Sequence, residues 1–352
     1  MPTALVTGAT GLVGSHIVER LTAQGWNVRA LVRDASATRE SRGGWNALEW
    51  LRSRDVELTT GDVLDLPSLA RAAMGCDVVF HTAAAITPRA RGPHPYDAYR
   101  IPNVDGTQNA IGASERAGAR LLQLSSVAVY GPKARYARGG SPSDRVDESL
   151  PLTPLPERSF YARSKRESEA LVLRAHAEGR IWATAVRPDV IYGPRDRQFV
   201  PRIARLLRVG VAPVVDGGLT TLAIVHAANV AEGAVRAATT DAAGGRTFNL
   251  ANDYDVTLAA FYRLAGEGLG RRVRIASLPL WLVRGALSAV RVVAKVASGG
   301  SSSVVDDASL GFITKNNPFT SERARRELGW SPVVRPEIGI PEAFQWWMEH
   351  RA

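Results

Sequence analysis

The stretch LVTGATGLVGSHIVERL, residues 5–21, joins an apolar run to a segment of helical periodicity through three glycines spaced by two residues. This pattern predicts a buried strand, a tight turn and a helix in succession. Glycine in such a turn adopts positive φ, brings backbone N–H groups close to a phosphate and lets the helix pack against the strand. Because the positive dipole end of the helix then faces the phosphates, the stretch favours a dinucleotide-binding loop over a βα turn without a ligand. We expect this loop to consist of Gly8, Thr10, Gly11, Leu12, Val13 and Gly14.

Strand-like and helix-like segments alternate around this loop through the first half of the chain. Such alternation implies right-handed crossovers, and therefore an α/β fold with a doubly wound parallel sheet. The expected strands lie at 3–8, 26–32, 56–62, 77–83 and 120–126, and the expected helices near 12–24, 67–74, 97–117 and 160–178.

The alternation loosens after about residue 187, where proline and glycine become frequent. We therefore expect a dinucleotide-binding domain over residues 1–187 and a smaller, mainly C-terminal substrate-binding domain over 188–352. The apolar segments 220–226 and 246–252 are expected to return to the first domain and its sheet.

The composition excludes several classes of protein. The formal charge of +10 comes mostly from arginine scattered along all 352 residues, whereas a nucleic-acid binder gathers basic residues beside aromatic ones, so we expect no nucleic-acid partner. The single cysteine, Cys76, cannot form an internal disulfide, which fits a reducing compartment. Residues 1–14 lack the basic and apolar regions of a secretory signal, so we expect a cytoplasmic protein, and we predict no metal site.

The end of the second predicted strand, RALVRD (29–34), bears on the choice of dinucleotide. An NAD site places an acidic side chain there for the ribose hydroxyls, whereas an NADP site offers arginine to the 2′-phosphate. Arg33 stands about where the acidic residue would be, and Asp34 is one position further along. An arginine fork suits a phosphate dianion, so NADP(H) is favoured and NAD(H) remains the alternative.

The stretch RSFYARSKRESEALV (158–172) places Tyr161 and Lys165 about one helical turn apart, on one face of a predicted helix. Together with LSSVAVYG (124–131), RPDVIYGPRD (187–196) and the glycine loop, it resembles the extended short-chain dehydrogenases/reductases of the NAD-dependent epimerase/dehydratase superfamily. The resemblance covers nearly the whole chain and implies a Rossmann domain. Without the glycine loop, the Tyr/Lys pair would be unremarkable on a helix surface.

The resemblance implies a role for each of four polar residues. Tyr161 is the proton donor or acceptor, and Lys165 hydrogen-bonds the nicotinamide ribose. A free phenol titrates near ~10, and a nearby ammonium lowers that pKa toward neutrality. Ser126 hydrogen-bonds the substrate oxygen, whereas Ser125 has a structural role. Asn103 supports the polar network of the active site, and the alternative is a buried asparagine with a structural role alone.

The same resemblance implies further cofactor contacts. Asp62 and Val63 resemble the adenine-binding pair, and small residues at Ala83 and Ala84 let the cofactor lie close. The backbone that flanks the nicotinamide corresponds to Pro188, Val190 and Ile191. Helices 97–117 and 160–178 resemble those that form a dimer interface in relatives, so we expect a homodimer.

Later segments indicate a branch of the family. GPRDRQFVPRIARLLRVG (193–210), LAIVHAANVAEGAVRA (222–237) and SLPLWLVRGAL (277–287) resemble the 3β-hydroxysteroid dehydrogenases, a branch that includes sterol-carboxylate dehydrogenases and 2-alkyl-3-ketoalkanoate reductases. The resemblance implies an NADP(H)-dependent oxidoreductase acting on a secondary alcohol or ketone of an apolar, steroid-like or long-chain substrate. Dehydratases carry Asp-Glu where this chain has Val127 and Ala128, which disfavours dehydration.

Two other functions stay open. A nucleotide-sugar epimerase uses the same Tyr/Lys pair with a tightly bound NAD, and the arginines near 197–205 would suit a diphosphate. A non-catalytic dinucleotide-binding module would not need Ser126, Tyr161 and Lys165 together.

The segment 278–297 is apolar but is interrupted by basic residues on one helical face. Its uncharged runs are too short to span a bilayer, which takes about 20 apolar residues. The sequence leaves two placements open for this segment, namely peripheral contact with a membrane and packing over the substrate cleft. In the second placement, the apolar walls of the cleft are expected to be Leu278, Leu280, Trp281, Leu282, Val283 and Phe199.

Overall fold

The fold is built on a seven-stranded, wholly parallel sheet with the order β10-β6-β5-β4-β1-β2-β3. The computed structural model describes residues 1–36, 45–86, 94–131, 144–279, 281 and 314–351. The strands of this sheet are β1 Thr3–Thr7, β2 Asn27–Val32, β3 Glu57–Thr60, β4 Val78–His81, β5 Arg120–Leu124, β6 Ala183–Pro188 and β10 Thr247–Leu250. The expected α/β fold with a doubly wound parallel sheet is confirmed.

Helices cover both faces of the sheet. One apolar cluster joins α1, α8 and α10 to the sheet, and a second joins α3, α5 and α6 to the other face. Central parallel strands are therefore buried on both faces, which explains why their sequences read as continuous apolar runs. The helices are α1 Leu12–Ala23, α2 Ala47–Arg52, α3 Leu66–Ala73, α4 Asp97–Arg100, α5 Gly106–Ala117, α6 Phe160–Ala177, α7 Phe199–Leu206, α8 Ala227–Thr239, α9 Leu258–Gly268, α10 Glu322–Leu328 and α11 Pro336–Glu349.

The helix expected over 97–117 is continuous but changes its winding. Between α4 and α5, the segment Ile101–Asp105 forms a π-helical turn. Pro102 lacks an N–H group and its ring crowds the preceding turn, and a local π turn relieves both problems. The wider turn contains the buried Asn103, whose side chain reaches two neighbouring elements.

Several elements after β6 form a second cluster with its own apolar core. Two short parallel sheets belong to it, β7 Val190–Tyr192 with β9 Ile224–His226, and β8 Val211–Val214 with β11 Arg274–Ser277. Their buried side chains meet residues of α7, α9 and α11 in one core.

The two segments expected to return to the main sheet behave differently. The segment 246–252 supplies β10, which pairs with β6 along the edge of the sheet. The expectation for 220–226 is wrong, because β9 pairs with β7 outside that sheet. The free edge of β6 is already taken by β10, so only α8, which follows β9 directly, packs over the main sheet against α1.

Most of the amphipathic segment 278–297 lies outside the described residues, including Leu280, Leu282 and Val283. Of its first four residues the structure describes Leu278, Pro279 and Trp281, all exposed. Among the helices in the described ranges, none is long and apolar enough to cross a bilayer.

The glycine turn predicts the result of a single substitution. A Cβ atom on Gly14 would lie 2.2 Å from the carbonyl oxygen of Gly8, which is backbone and cannot move alone. We expect Gly14→Ala to lower the free energy of unfolding by about 1–3 kcal/mol, as overpacking does. Denaturant-induced unfolding measures this loss.

Gly112 in α5 is the matched control, since the nearest atom to its added Cβ would be Leu66 Cδ1 at an ordinary 3.4 Å. Gly112→Ala should stabilise the helix by about 0.5–1 kcal/mol. Equal stability of Gly14→Ala and the wild type would contradict the close packing of this turn.

Candidate functional site

The candidate site lies where the sheet order reverses, between the carboxyl ends of β1 and β4. In open α/β sheets this position opens a crevice for ligands. Gly8 turns the chain there with φ +73°, and an added Cβ would lie 2.8 Å from the backbone nitrogen of Ala83. Thr7 holds the facing loop, since Thr82 Oγ1 donates to its carbonyl oxygen over 2.7 Å. The glycine loop and the loop after β4 therefore face each other across the crevice.

The start of α1 fits a phosphate-bearing ligand. Gly11 is the N-cap, and it has no side chain to cap the first N–H groups of the helix. The first turn also contains no acidic residue that would repel an anion. Free N–H groups and the positive end of the helix dipole together form a cradle for a pyrophosphate. Thr10, Leu12 and Val13 complete this loop, with Val13 buried beneath it.

Asn103 connects the loop after β4 to the helix that carries the Tyr/Lys pair. Its Nδ2 donates to the carbonyl oxygen of Ala85 and to Ser164 Oγ, both at 2.9 Å. Its Oδ1 accepts from the Ala85 N–H at 2.7 Å. Asn103 therefore fixes the position of the loop that contains Ala83 and Ala84, of which Ala83 is half-buried and Ala84 exposed.

A buried histidine, which the sequence reasoning missed, supports the same region. His81 lies between Thr7 Oγ1 at 3.0 Å and Thr107 Oγ1 at 3.2 Å. Thr107 Oγ1 in turn donates to the carbonyl oxygen of Asn103. Burial, together with the charge of Lys165, lowers the pKa of His81 to about 3, so it bridges β1, β4 and α5 as a neutral ring.

Tyr161 and Lys165 lie in one helix, α6, as the spacing predicts. Tyr161 is half-buried in its first turn. Lys165 is buried, and its Nζ donates to the carbonyl oxygen of Leu124 over 2.7 Å, at the end of β5. Burial lowers the pKa of Lys165 to about 8, although Glu169 acts in the opposite direction. The lysine thus carries its charge at neutral pH at the carboxyl end of the sheet.

The two candidate serines follow β5 directly. Ser126 is half-buried and caps the short 3₁₀ helix Val127–Tyr130, accepting from the Ala128 N–H at 3.2 Å. Ser125 is buried, and its Oγ has no hydrogen-bond partner among the residues that the structure describes. Of the two, Ser126 is therefore the more accessible to a substrate.

Arg33 is exposed immediately after β2. Asp34 accepts from the backbone N–H and the hydroxyl group of Ser36, which engages this carboxylate in a local turn. Both side chains are exposed, but the aspartate is the one whose carboxylate is engaged in this local turn.

The remaining candidate cofactor residues lie at the ends of β3 and β6. Asp62 Oδ1 accepts from the Leu64 N–H, and the carbonyl oxygen of Val63 accepts from Asn109 Nδ2. Both Asp62 and Val63 are half-buried. Pro188 is the buried last residue of β6, while Val190 and Ile191 are half-buried in β7. All of these positions lie at or just beyond the carboxyl ends of strands.

A buried polar network lies behind Lys165, and the sequence reasoning did not identify it. Arg187 holds Glu169 with two hydrogen bonds, and its Nη1 donates to the Tyr130 hydroxyl at 2.7 Å. The Tyr130 hydroxyl donates to Asn249 Oδ1 at 3.0 Å. Although burial opposes its charge, the bonds to Glu169 raise the pKa of Arg187, and burial raises that of Tyr130 to about 12. An arginine inside the apolar run of β6 was the available signal.

The geometry defines an α/β protein with a crevice suited to a dinucleotide and a Tyr/Lys pair on α6. Asn103 connects α6 by hydrogen bonds to the loop that forms one wall of this crevice. Known proteins agree with this class. The family model described as "NAD dependent epimerase/dehydratase family" matches residues 4–251. The chain belongs to this family, and the expected resemblance is confirmed.

Named relatives fall in the branch that the sequence indicated. A 4-hydroxy-2-methyl-3-oxo-4-farnesyl-3,4-dihydroquinoline-1-oxide ketoreductase of Stigmatella aurantiaca is 30% identical, with 99% of each chain covered. A 3beta-hydroxysteroid-dehydrogenase/decarboxylase, isoform 3, of Arabidopsis thaliana is 29% identical over 98% of this chain, which spans 61% of that protein. A 2-alkyl-3-oxoalkanoate reductase of Shewanella oneidensis is 26% identical, covering 96% of this chain and 84% of that protein.

Solved structures share the fold over nearly the full length. The crystal structure of gox2253 aligns with a TM-score of 0.71 and 28% identity, covering 99% of both chains. A UDP-glucuronic acid 4-epimerase from Bacillus cereus, solved with UDP-glucuronic acid and NAD, aligns with a TM-score of 0.69 over 98% of this chain and 99% of that one. At 19% identity, this second likeness concerns the fold alone.

Burial of Lys165 predicts how stability depends on pH. Its pKa is lowered to about 8 in the folded state, so above pH 8 the unfolded chain binds more protons at this site than the folded chain does. The free-energy cost of burying the charge therefore falls as the pH rises toward the ordinary pKa of lysine. Lys165→Met should therefore raise the free energy of unfolding at pH 7 by about 1–3 kcal/mol, since one pKa unit corresponds to about 1.4 kcal/mol. The gain should shrink at pH 10.

Denaturant unfolding at both pH values tests this, with Lys315→Met as the control because Lys315 is exposed. The control should show the same stability difference at both pH values. A Lys165→Met protein that is less stable than the wild type at pH 7 would show that the buried ammonium does not destabilise the folded state.

Proposed function

We propose that the protein is an NADP(H)-dependent oxidoreductase that transfers hydride between the nicotinamide and a secondary alcohol or ketone of an apolar substrate. The observation that carries the proposal is the position of Lys165. Its charged Nζ is fixed at the carboxyl end of β5, one helical turn from Tyr161 and beside the loop that carries Ser126. A fixed cation next to a phenol is the arrangement that proton exchange with a ketone or alcohol requires.

Each residue has a distinct part in this proposal. Tyr161 gives a proton to the carbonyl oxygen in reduction and takes one in oxidation. Lys165 lowers the pKa of that phenol through its charge and binds the nicotinamide ribose. Ser126 donates a hydrogen bond to the substrate oxygen. Asn103 holds the loop after β4 against α6 through its hydrogen bonds to Ala85 and Ser164.

The cofactor is proposed to lie along the carboxyl edge of the sheet, where it supplies the hydride. The glycine loop binds its pyrophosphate, Asp62 and Val63 bind the adenine, and Ala83 and Ala84 leave room beside the loop after β4. The nicotinamide end lies against Pro188, Val190 and Ile191. Arg33 is proposed to bind the 2′-phosphate and thereby to favour NADP(H) over NAD(H).

The substrate is proposed to be steroid-like or a long-chain 3-keto or 3-hydroxy compound. The relatives named above include a farnesyl-quinoline ketoreductase, a 3beta-hydroxysteroid dehydrogenase and a 2-alkyl-3-oxoalkanoate reductase, and these names support an apolar ligand. Nucleotide-sugar epimerisation is the competing function, and it predicts tight binding of a UDP-hexose instead.

We further propose that the protein is a cytoplasmic homodimer whose subunits pair through the helices at 97–117 and 160–178. We also propose that segment 278–297 makes peripheral contact with a membrane. Exposed Arg163 and part-exposed Glu167 on α6 give the dimer surface a polar character. Light scattering measures the mass in solution, and cell fractionation measures the location. A monomer at all concentrations would contradict the dimer.

The experiment that tests the function is a cofactor-coupled assay with Tyr161→Phe as the comparison variant. Wild-type protein should oxidise NADPH with an apolar ketone, and the variant should lose roughly a hundredfold to ten-thousandfold in rate because the proton-transferring group is gone. Calorimetry should show nearly unchanged cofactor affinity, since the ring remains.

Retention of most activity by Tyr161→Phe would remove this residue from the mechanism. Calorimetric titration with a sterol or long-chain keto compound, and separately with UDP-hexoses, distinguishes the two functions. Tight UDP-hexose binding without response to apolar ketones would favour the epimerase.

Arg33→Ala tests the choice of cofactor. Charge-assisted hydrogen bonds to a phosphate contribute about 1.5–3 kcal/mol, so the variant should bind NADPH roughly ten- to a hundredfold more weakly while its NADH affinity changes little. Fluorescence titration measures both constants. Arg71→Ala, which removes an exposed arginine from α3, is the control and should change neither. A wild type that prefers NADH would refute the assignment of Arg33.

A further inference from the structure

Exposed apolar and basic residues gather on one edge of the C-terminal region, around β8 and β11. The inner face of this two-stranded sheet is buried in the core with α9 through Ala212 and Val214. Its outer face carries Val211 and Pro213, both exposed, with Arg274 paired beside Val211. We call residues 199–220, 263–279 and 281 together the basic edge.

Large apolar side chains are exposed along the basic edge. Six of the 14 exposed large hydrophobic residues in the described ranges belong to it. They lie on the end of α7, on β8 and on the connections beside the two strands, so each can enter a fluid medium independently of the others. The six are Leu206, Val209, Val211, Leu219, Leu278 and Trp281, and the exposed fractions of Val209, Leu219 and Trp281 are 79%, 73% and 71%.

Positive charge is concentrated in the same place. The basic edge has seven arginines against two acidic residues, Asp216 and Glu267, so it carries +5 of the chain's formal +10. The pairing of β8 with β11 brings two arginine-bearing segments together in a region that has few acidic residues. All seven arginines are exposed, and they are Arg202, Arg205, Arg208, Arg263, Arg271, Arg272 and Arg274.

Hydrogen bonds hold the parts of the edge together. Arg271 Nη1 donates to the carbonyl oxygen of Arg208 at 3.0 Å, which joins the turns at the start of β8 and β11. At the other end, the N–H of Gly217 donates to Ser277 Oγ at 3.1 Å. The apolar and basic side chains are therefore carried by one ordered scaffold and not by independent loops.

We propose that the basic edge docks on the surface of an anionic lipid bilayer, which rests on the membrane contact proposed above for 278–297 and extends it to residues 199–220 and 263–277. The exposed apolar side chains would enter the interfacial layer, where tryptophan in particular is favoured, while the arginines bind lipid phosphates. An acidic protein partner would satisfy the arginines, but a protein surface would have to match apolar side chains that lie on a helix end, a strand and several connections. The lipid interface has no such requirement, and it is the occupant that fits both properties.

The test is co-sedimentation of the full-length protein with vesicles. Wild-type protein should bind vesicles of phosphatidylcholine with a quarter phosphatidylglycerol and not vesicles of phosphatidylcholine alone. Binding should fall between about 0.1 M and about 1 M salt, as the Debye length shortens from about 10 Å to about 3 Å.

Two variants separate the contributions of charge and apolar area. Arg205→Gln/Arg208→Gln/Arg272→Gln should weaken partitioning roughly a hundredfold, since each basic residue near an anionic surface contributes about a fivefold factor. Val209→Ser/Leu219→Ser should weaken binding to the same vesicles even at low salt. The control Arg71→Gln/Arg116→Gln removes exposed charge from α3 and α5 and should bind like the wild type.

Thermal unfolding confirms that each variant is folded, which is expected because all the replaced side chains are exposed. Three results would overturn the proposal. They are failure to bind anionic vesicles at low salt, equal loss of binding in the control variant, and binding to soluble polyglutamate without sedimentation by vesicles, which would indicate an acidic protein partner. The test uses no cofactor or substrate, so its outcome is independent of the proposed enzymatic function.

Discussion

The close approach of Gly8 and Gly14 is the contact on which the rest of the structure depends. A side chain at either position would collide with backbone, at Ala83 in one case and at Gly8 in the other. Because both positions are glycine, α1 packs directly onto the end of β1, and the loop after β4 closes against the same turn. The order of the sheet then reverses at this point, and the crevice opens there rather than elsewhere along the carboxyl edge.

Behind the crevice the protein buries more charge than a core needs. Lys165, Glu169 and Arg187 are all buried, and only the last two neutralise each other through paired hydrogen bonds. Replacing buried ions by apolar residues often stabilises a fold, so such an arrangement is typical of a place where position and charge matter more than stability. Neutral His81 and the clamp formed by Asn103 hold the adjacent loops without adding further charge.

The sequence predicted the features that are local in the chain. The glycine turn, the alternation of strands and helices, and the Tyr161/Lys165 pair all depend on neighbours within about twenty residues, so periodicity and spacing reveal them. The strand at 224–226 was misassigned because a strand of three residues does not specify its partner, and β10 fills the edge of β6. The pairing of Arg187 with Glu169 and the pairing of β8 with β11 arise from tertiary contacts, although the arginine inside the apolar run of β6 was a local signal. The roles of the individual site residues stay predictions.

The edge strand β10 has a consequence for how the chain emerges during synthesis. Domains fold from the N-terminus as they are made, but the outer side of β6 has no partner until residue 250 has left the ribosome. Until then, β6 exposes unpaired backbone groups. The Tyr130 hydroxyl, which accepts from Arg187, also lacks its own acceptor, Asn249. A half-made chain therefore presents an unpaired strand edge on the strand that carries the buried Arg187. Ribosome pausing between residues 190 and 250 would lengthen that exposure, so the tempo of translation over this stretch bears directly on the yield of correctly folded protein.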